Sequence, residues 1–346
     1  MGTGTLSKTE QITSRPLTSR QLAALIGVSQ SAISRAFTSG SSISPELRNR
    51  ILMAAQDYGY RPNAIASMLT TRRTHIVGVV VSDMQNPFYP ALLAQLTQGL
   101  QAAGLQCLFF NISPGSSIEE QLHAIRTYNV DAVVIISATV LNERMLSWAT
   151  EGRRSILLNR LGHDDITTVC CDNTLGFRSI VDHLHQTGRQ RIGYVAGFTT
   201  SGVGLVRYSA FATRLAELGM RLVGTATRQA YTHEAGRQST LDLLSLAPDA
   251  IVYASDILAL GGIEAIRMAG RAQDIAVTGF DDIPMAAWPG YSLTTYRQPI
   301  RDIVDRTVEL LLAPDIGAPR RHTLPGELMI RASTHPAGWA NPAPSA

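Results

Sequence analysis

The sequence predicts an all-α helix-turn-helix head followed by an α/β body of two Rossmann-like lobes. Three observations predict it. Two short helical patterns flank a glycine near the start, basic charge is concentrated in residues 1–75, and β-branched runs alternate with amphipathic stretches from Ile76 onward. With 346 residues, the chain has room for two to three domains at roughly 100–200 residues each.

The formal charge of +3 hides an asymmetry. Residues 1–75 hold nine Lys/Arg against Glu10, Glu46 and Asp57, and the remainder carries 21 basic and 24 acidic groups. A basic head on a slightly acidic body points to a polyanionic partner for the head alone. No apolar run approaches the ~18–20 residues of a membrane span. The polar, Thr/Ser-rich residues 1–16 lack the apolar core of an export signal and read as a disordered tail. Cys107, Cys170 and Cys171 are odd in number and lie in apolar runs, which fits free thiols in a reducing compartment. The expectation is a cytoplasmic protein without a membrane partner.

The head occupies residues 17–61. Thr18 followed by Gln21 has capping-box spacing and starts a first helix with Leu22, Leu25 and Ile26 on its apolar face. Gly27 ends it, since glycine tolerates a tight left-handed turn. Ser29 caps a second helix that buries Ala32, Ile33 and Ala36. Ser44, Pro45 and Glu46 open a third, with Leu47, Ile51, Ala54, Ala55 and Tyr58 at helical spacing. This is a helix-turn-helix arrangement. The exposed side of the second helix would face the major groove. There Gln30 suits adenine, Arg35 suits guanine, and Ser31 lies between them. Ser29, Ser34 and Thr38 are short donors suited to phosphates, and Thr18 is placed with the DNA-facing group.

Residues 62–75 read as a hinge helix and linker. The stretch Pro62-Asn63-Ala64-Ile65-Ala66 to Leu69 could form about two helical turns, too short to be stable alone. Here the sequence resembles the lactose-repressor (LacI/GalR) family. The resemblance rests on Leu22-Ala23, Gly27-Val28-Ser29, Ile33-Ser34-Arg35, Gly59-Tyr60-Arg61-Pro62-Asn63, and Ala66 with Leu69, and extends from about Leu17 to Thr334. It implies a homodimer on a palindromic double-stranded DNA operator. It places Leu69 as a wedge in the central minor groove, with Asn63 and Ala66 beside it. Arg72 and Arg73 are either solvated linker charges or further phosphate contacts.

In the body, strands are expected at Ile76–Val81, Leu108–Phe110, Ala132–Ile136 and Ile156–Leu158. A second set is expected at Val169–Cys171, Ile192–Ala196, Ala250–Tyr253 and Ile275–Gly279. Helices are expected near 90–103, 118–128, 175–186, 207–218, 234–246, 257–269 and 300–312. Continuous β-branched runs with helical crossovers mean parallel sheets covered on both faces, two such halves following in series. The resemblance implies a periplasmic-binding-protein-like clamshell over 76–334 for effector binding and dimerisation. It implies three crossings between lobes, expected near Gly162, near Tyr291 and after Pro325. The first lobe would then take about 76–161 and 292–325, and the second about 162–291 and 326–334, with 335–346 as a tail. Leu92, Leu96, Leu100 and Leu258 are equally candidates for core and for a dimer face.

Ligands of open α/β sheets lie beyond the carboxyl ends of the strands. That position nominates Asn86 to Tyr89, Asn159-Arg160, Asp172-Asn173, Arg207, Tyr231, Ser255-Asp256 and Phe280-Asp281. The resemblance singles out Phe88, Tyr89, Asp172, Arg207, Tyr231 and Asp256 as contacts for a sugar or other small metabolite, although Asp172 or Asp281 would equally serve as helix caps. The loop 200–206 is more apolar than the resemblance leads one to expect.

Other functions fit less well. An exported solute-binding protein would share the clamshell but not the basic helical head. The closest approach to a dinucleotide fingerprint, Gly202-Val-Gly204-Leu-Val-Arg207, has arginine in place of the third glycine. His183 and His185 are two apart, on different sides of a helix, and cannot share a metal as i, i+4 pairs do. No Gly-x-Ser-x-Gly nucleophile motif occurs. The expectation is a regulator with no cofactor and no catalytic residue.

Overall fold

The computed structural model describes residues 17–38, 40–62, 73–82, 84–111, 127–136, 154–161, 166–314, 317–318 and 320–335. The chain divides into two compact units, residues 1–74 and 75–346.

Three helices form the first unit: α1 (Ser19–Ile26), α2 (Gln30–Ala36) and α3 (Pro45–Asp57). Each begins where its cap residue predicts. Thr18 accepts from the Gln21 N–H while the Gln21 side chain accepts from the Thr18 N–H, closing the capping box. Ser29 and Ser44 accept from Ala32 and Leu47. Gly27 ends α1 at φ +68°, a region that L side chains rarely enter. The helices close on Leu22, Ile33 and Ile51, all fully buried, with Ala23, Ala32, Ala36, Ala55 and Tyr60 around them.

The second unit contains two six-stranded sheets. The first takes β1 (Ile76–Val81), β2 (Gln106–Asn111), β3 (Ala132–Ile136), β4 (Arg154–Leu158) and β5 (Thr167–Cys171), with β11 (Arg321–Leu324) at its edge in the order β11-β5-β4-β3-β1-β2. The second takes β6 (Arg191–Ala196), β7 (Arg221–Thr227), β8 (Ala250–Tyr253), β9 (Ala276–Asp281), β10 (Thr294–Arg297) and β12 (Glu327–Met329), ordered β12-β10-β9-β8-β6-β7. Pairing is parallel throughout, except that β12 runs antiparallel to β10. The β-branched centre of β1 explains its position, because a strand paired on both sides and covered on both faces must be apolar at successive residues.

Helices α4 (Phe88–Ala102), α5 (Asn173–Gln186), α6 (Gly202–Glu217), α7 (His233–Leu244), α8 (Asp256–Met268) and α9 (Ile300–Leu312) cover the sheets. In the second lobe α7 and α8 touch backbone to backbone. A Cβ at Gly236 would lie 2.0 Å from the Leu258 carbonyl oxygen, and one at Gly261 only 1.9 Å from that of His233, so neither position has room for a side chain. Helix α9 returns to the first lobe and packs on α4, β4 and β5. Leu92, Leu96, Leu100 and Leu258 are fully buried within this one chain, which makes them core and removes them as dimer-face candidates.

The order of the lobes corrects the reading from sequence. Strand β5, expected in the second lobe, pairs with β4 and β11 in the first sheet. The first crossing therefore falls between Cys171 and Asn173, not near Gly162. Strand β10 pairs with β9 in the second sheet, so the second crossing lies at Gln298-Pro299 and not near Tyr291. The halves interleave and are not in series. Apolar runs mark a buried strand but carry no sign of which sheet holds it, and Thr294-Thr-Tyr-Arg297 has no apolar run at all. The third crossing, at Pro325-Gly326, joins β11 in one sheet to β12 in the other. The expected helix 118–128 lies almost wholly outside the described residues. Helix α6 begins at Gly202, not at Arg207, because Ser201 caps it by accepting from the Gly204 N–H at 2.9 Å.

Candidate functional site

In the first unit, the face of α2 is solvated. Gln30, Ser31, Ser34, Arg35 and Thr38 are exposed, as are Thr18 and Ser29. The Gln30 amide donates to the Ser19 hydroxyl at 3.0 Å, and Arg35 holds itself along the helix by donating from Nε to the Ser31 carbonyl at 3.3 Å. Arg48 and Arg50 reach the carbonyls of Thr38 and Ile26 and serve as helix-end braces. Thr18 is occupied by its capping box, and Ser29 caps α2 while contacting Ser31 at 2.9 Å. The arrangement presents short polar groups and one guanidinium along a helix that is free on its outer side. Asn63, Ala66 and Leu69 lie outside the described residues.

In the second unit, a polar pocket of about 20 Å³ lies between the two sheets. Asn86, Phe88, Tyr89 and Asn159 reach it from the first lobe. Ser201, Val203, Arg207, Tyr231 and Asp281 reach it from the second. Phe88 and Tyr89 open α4, where the Phe88 N–H donates to the Asn86 side chain at 3.1 Å. Asn159 sits just past β4 at φ +52°, 7 % exposed, and its side-chain oxygen has no partner among the described residues. A buried acceptor placed this way can take a donor from outside the chain.

Arg207 is the centre of the pocket. It is 4 % exposed, donates from Nε to Asn173 at 2.8 Å and from a terminal nitrogen to the Ala254 carbonyl at 2.7 Å. Its guanidinium carbon lies 4.1 Å from the centre of the Phe280 ring, and its other terminal nitrogen 3.8 Å from Asp281. Gln298, at the second crossing, donates to the Asp281 carboxylate at 2.6 Å, and Asn86 bonds the same group from the opposite lobe. Burial pushes the Asp281 pKa up, and Arg207, Gln298 and Asn86 oppose that rise. The backbone at Asp281 and Asp282 adopts φ +127° and +55°. Such values are strained for L residues and recur where a ligand contact must be aimed.

Three expected contacts, Asp256, Asp172 and Arg160, are not in the pocket lining. Asp256 is fully buried away from the pocket lining. Its carboxylate accepts from the Ile283 N–H at 2.9 Å and the Thr295 hydroxyl at 2.5 Å, which ties the start of α8 to the turn after β9 and to β10. Burial, and then the neighbouring Asp281, push its pKa up. The residue before it, Ser255, is 1 % exposed with a hydroxyl that has no partner among the described residues. Asp172 caps α5 by accepting from the Leu175 N–H at 2.9 Å and does not line the pocket. Arg160 is half-buried beside Tyr89, and burial lowers its pKa. Ser201 and Val203 were not singled out from sequence, because the helix was expected only from Arg207; the serine that caps α6 at Ser201 is the local signal that could have found them. Among the described residues no three metal-ligating side chains converge, and no helix is long and apolar enough to cross a membrane.

Comparison with known proteins agrees with this geometry. Residues 181–334 match the model of a periplasmic binding protein-like domain. The HTH-type transcriptional regulator AglR of Rhizobium meliloti is 30% identical over 347 residues, covering 95% of this chain and 98% of AglR. This chain belongs to the LacI/GalR family of transcriptional regulators. Another LacI/GalR-type relative, the HTH-type transcriptional regulator CelR of Thermobifida fusca, is 29% identical over 339 residues, covering 91% of this chain and 98% of CelR. Among solved structures, a lac repressor dimer bound to operator and the anti-inducer ONPF superposes with a TM-score of 0.82 at 23% identity, covering 92% of this chain and 99% of that one, a likeness of fold. A CelR–cellobiose complex gives 0.67 at 27% identity, covering 92% and 100%. LacI/GalR membership makes the chain a transcriptional regulator and not an enzyme.

Proposed function

We propose that this regulator represses transcription as a homodimer on a palindromic operator, in the cytoplasm, with its DNA affinity set by a sugar or other small metabolite bound between the lobes. The observation that carries the reading is the buried Arg207–Asp281–Asn86 constellation, which joins residues of both lobes around one polar pocket. Arginine, aspartate and asparagine offer directional partners for hydroxyl groups, and Phe88, Tyr89 and Tyr231 offer flat walls. The bonds from Asn86 and Arg207 to Asp281 are the ones a polyhydroxy ligand would exchange for its own. A ligand making those exchanges in one lobe arrangement only would bias the equilibrium between arrangements.

At the other end, Gln30, Ser31 and Arg35 read bases, while Thr18, Ser29, Ser34 and Thr38 position the head on phosphates. The resemblance assigns Leu69 to the central minor groove, with Asn63 and Ala66 beside it. Leu69→Ala is then expected to reduce operator bending in a circular-permutation assay.

The deciding experiment is fluorescence anisotropy of the full chain on inverted repeats from DNA flanking its own gene, with and without a sugar panel headed by cellobiose. One repeat is expected to bind at least ~10³-fold better than random duplex. One sugar is expected to shift that affinity by roughly 5–150-fold. Equal binding to all duplexes, whatever the sugar, would refute the reading.

A further inference from the structure

The second lobe contains a cavity that the proposed function does not use. It measures about 320 Å³, within the ~300–1,000 Å³ of small-molecule sites. It lies at the carboxyl ends of β6 and β7, between those strands and the first turns of α6. The rings of Tyr194, Phe198 and Tyr208 wall it, with Leu205 and Ala226 between them, and no charged side chain among the described residues lines it. Its polar side-chain groups are the hydroxyls of threonines 199, 225 and 227 and the phenols of Tyr194 and Tyr208. A charged ligand would lose its hydration there without a counter-charge, whereas a neutral one with a flat apolar face would not.

Two observations separate this cavity from a packing defect. Tyr194 is 1 % exposed and its ring lines the cavity, so a ligand there would meet a phenol, a group that usually takes a hydrogen-bond partner when buried. The entrance is also pinned. The Thr227 hydroxyl donates to the Gly197 carbonyl at 2.7 Å, the Thr199 N–H donates to the Gln229 side-chain oxygen at 3.1 Å, and the Gln229 amide donates back to the Thr199 hydroxyl at 2.8 Å. These bonds hold the loop after β6 away from collapse onto the rings.

The cavity and the interlobe pocket share a wall. Ser201, Val203 and Arg207 face the pocket, and Gly204, Leu205 and Tyr208 face the cavity, all from the start of α6. Phe198 meets Tyr231 edge-on at 5.5 Å. A Cβ at Gly197 would lie 2.2 Å from the Tyr231 ring, so the loop already presses on that wall.

We propose that this cavity is a second ligand site, taking a neutral aromatic small molecule whose hydrogen-bonding group meets the Tyr194 hydroxyl, and that its occupancy steadies the shared start of α6. The test is calorimetric titration of the full chain with phenol as probe and benzoate as its charged counterpart. Phenol is expected to saturate one site per chain, and benzoate to bind at least ~10-fold more weakly. Tyr194→Phe keeps the ring and is expected to weaken phenol about five- to tenfold. Thr225→Trp, at an exposed rim position, is expected to abolish the site while leaving the circular-dichroism melting curve unchanged. Amide exchange across residues 201–207 is expected to slow in the phenol-saturated parent and not in Thr225→Trp.

Phenol binding that survives Thr225→Trp, or that benzoate matches, overturns the proposal. So does absence of saturation at tens of millimolar. Binding lost in Val203→Trp but kept in Thr225→Trp would put phenol in the interlobe pocket instead. Binding that vanishes at high protein concentration and returns on dilution would give the cavity to a second copy of the chain. Unchanged exchange at 201–207 would remove the coupling.

Discussion

The head and the body hold their candidate contacts in opposite solvation states. On α2 the polar side chains stand in water, and the buried core of the head is made without them. In the body Arg207, Asn173, Asp281 and Asp256 are each no more than 4 % exposed. Most of their polar atoms already serve one another or the backbone. The difference teaches where recognition and stability are separable. On the proposed roles, a side chain on the exposed face of α2 can be removed with little effect on folding, whereas a buried side chain of the interlobe pocket is also part of the scaffold.

The strongest challenge to that contrast is Arg207→Ala. Removing one partner of a buried charge pair leaves Asp281 uncompensated, so the body is expected to lose about 3–5 kcal/mol in urea unfolding together with its effector response. A variant that loses the response at unchanged stability would break the contrast.

Asp256 comes next. Asp256→Ala strips two buried donors of their acceptor and is expected to cost about 2–4 kcal/mol, a loss that unfolding curves would show. Asp256→Asn sharpens the point through pH. Burial and Asp281 raise the Asp256 pKa above the ~3.9 of an unfolded aspartate, so the folded state keeps a proton that the unfolded chain has released. The stability from this group is complete below about pH 4 and is lost as pH rises through the raised value. The parent is therefore expected to lose stability relative to Asp256→Asn as pH rises from about 4 toward neutrality and beyond, and parallel curves would show that the carboxyl does not titrate there.

Arg35→Ala is the converse case. It is expected to cost about 1–3 kcal/mol at one base pair per half-site, with head stability within ~0.5 kcal/mol of the parent. An equal loss on random duplex would reassign Arg35 to phosphate contact. Smallest is Ser29→Ala, expected to lower head stability by about 1 kcal/mol through the lost cap, as thermal melting of the head transition would show.

The same contrast explains what could be read from the residues. The head was legible because caps and turns are local. Thr18, Gly27, Ser29 and Ser44 each act within four residues of themselves. Most body strands were legible as apolar runs, but β7, β10, β11 and β12 were not, since edge or short polar strands lack such runs. Which sheet claims β5 depends on Arg154–Leu158 and Arg321–Leu324 together, a pairing across more than a hundred residues with no local signature. At the site, position after a strand nominated Asn86, Asn159 and Asp281 correctly as pocket residues. It could not distinguish them from Asp256, because a buried brace and a ligand contact use the same carboxylate at the same kind of strand end.

The stitch at residues 321–329 has a consequence for how the protein comes into being. One nine-residue stretch supplies an outer strand to each sheet, so during translation both lobes wait, unfinished at one border, until residues 321–329 have been made. A stop codon shortly before 321 would leave two ragged sheets from a single lesion, and nascent chains stalled there should be preferred prey for cellular proteases.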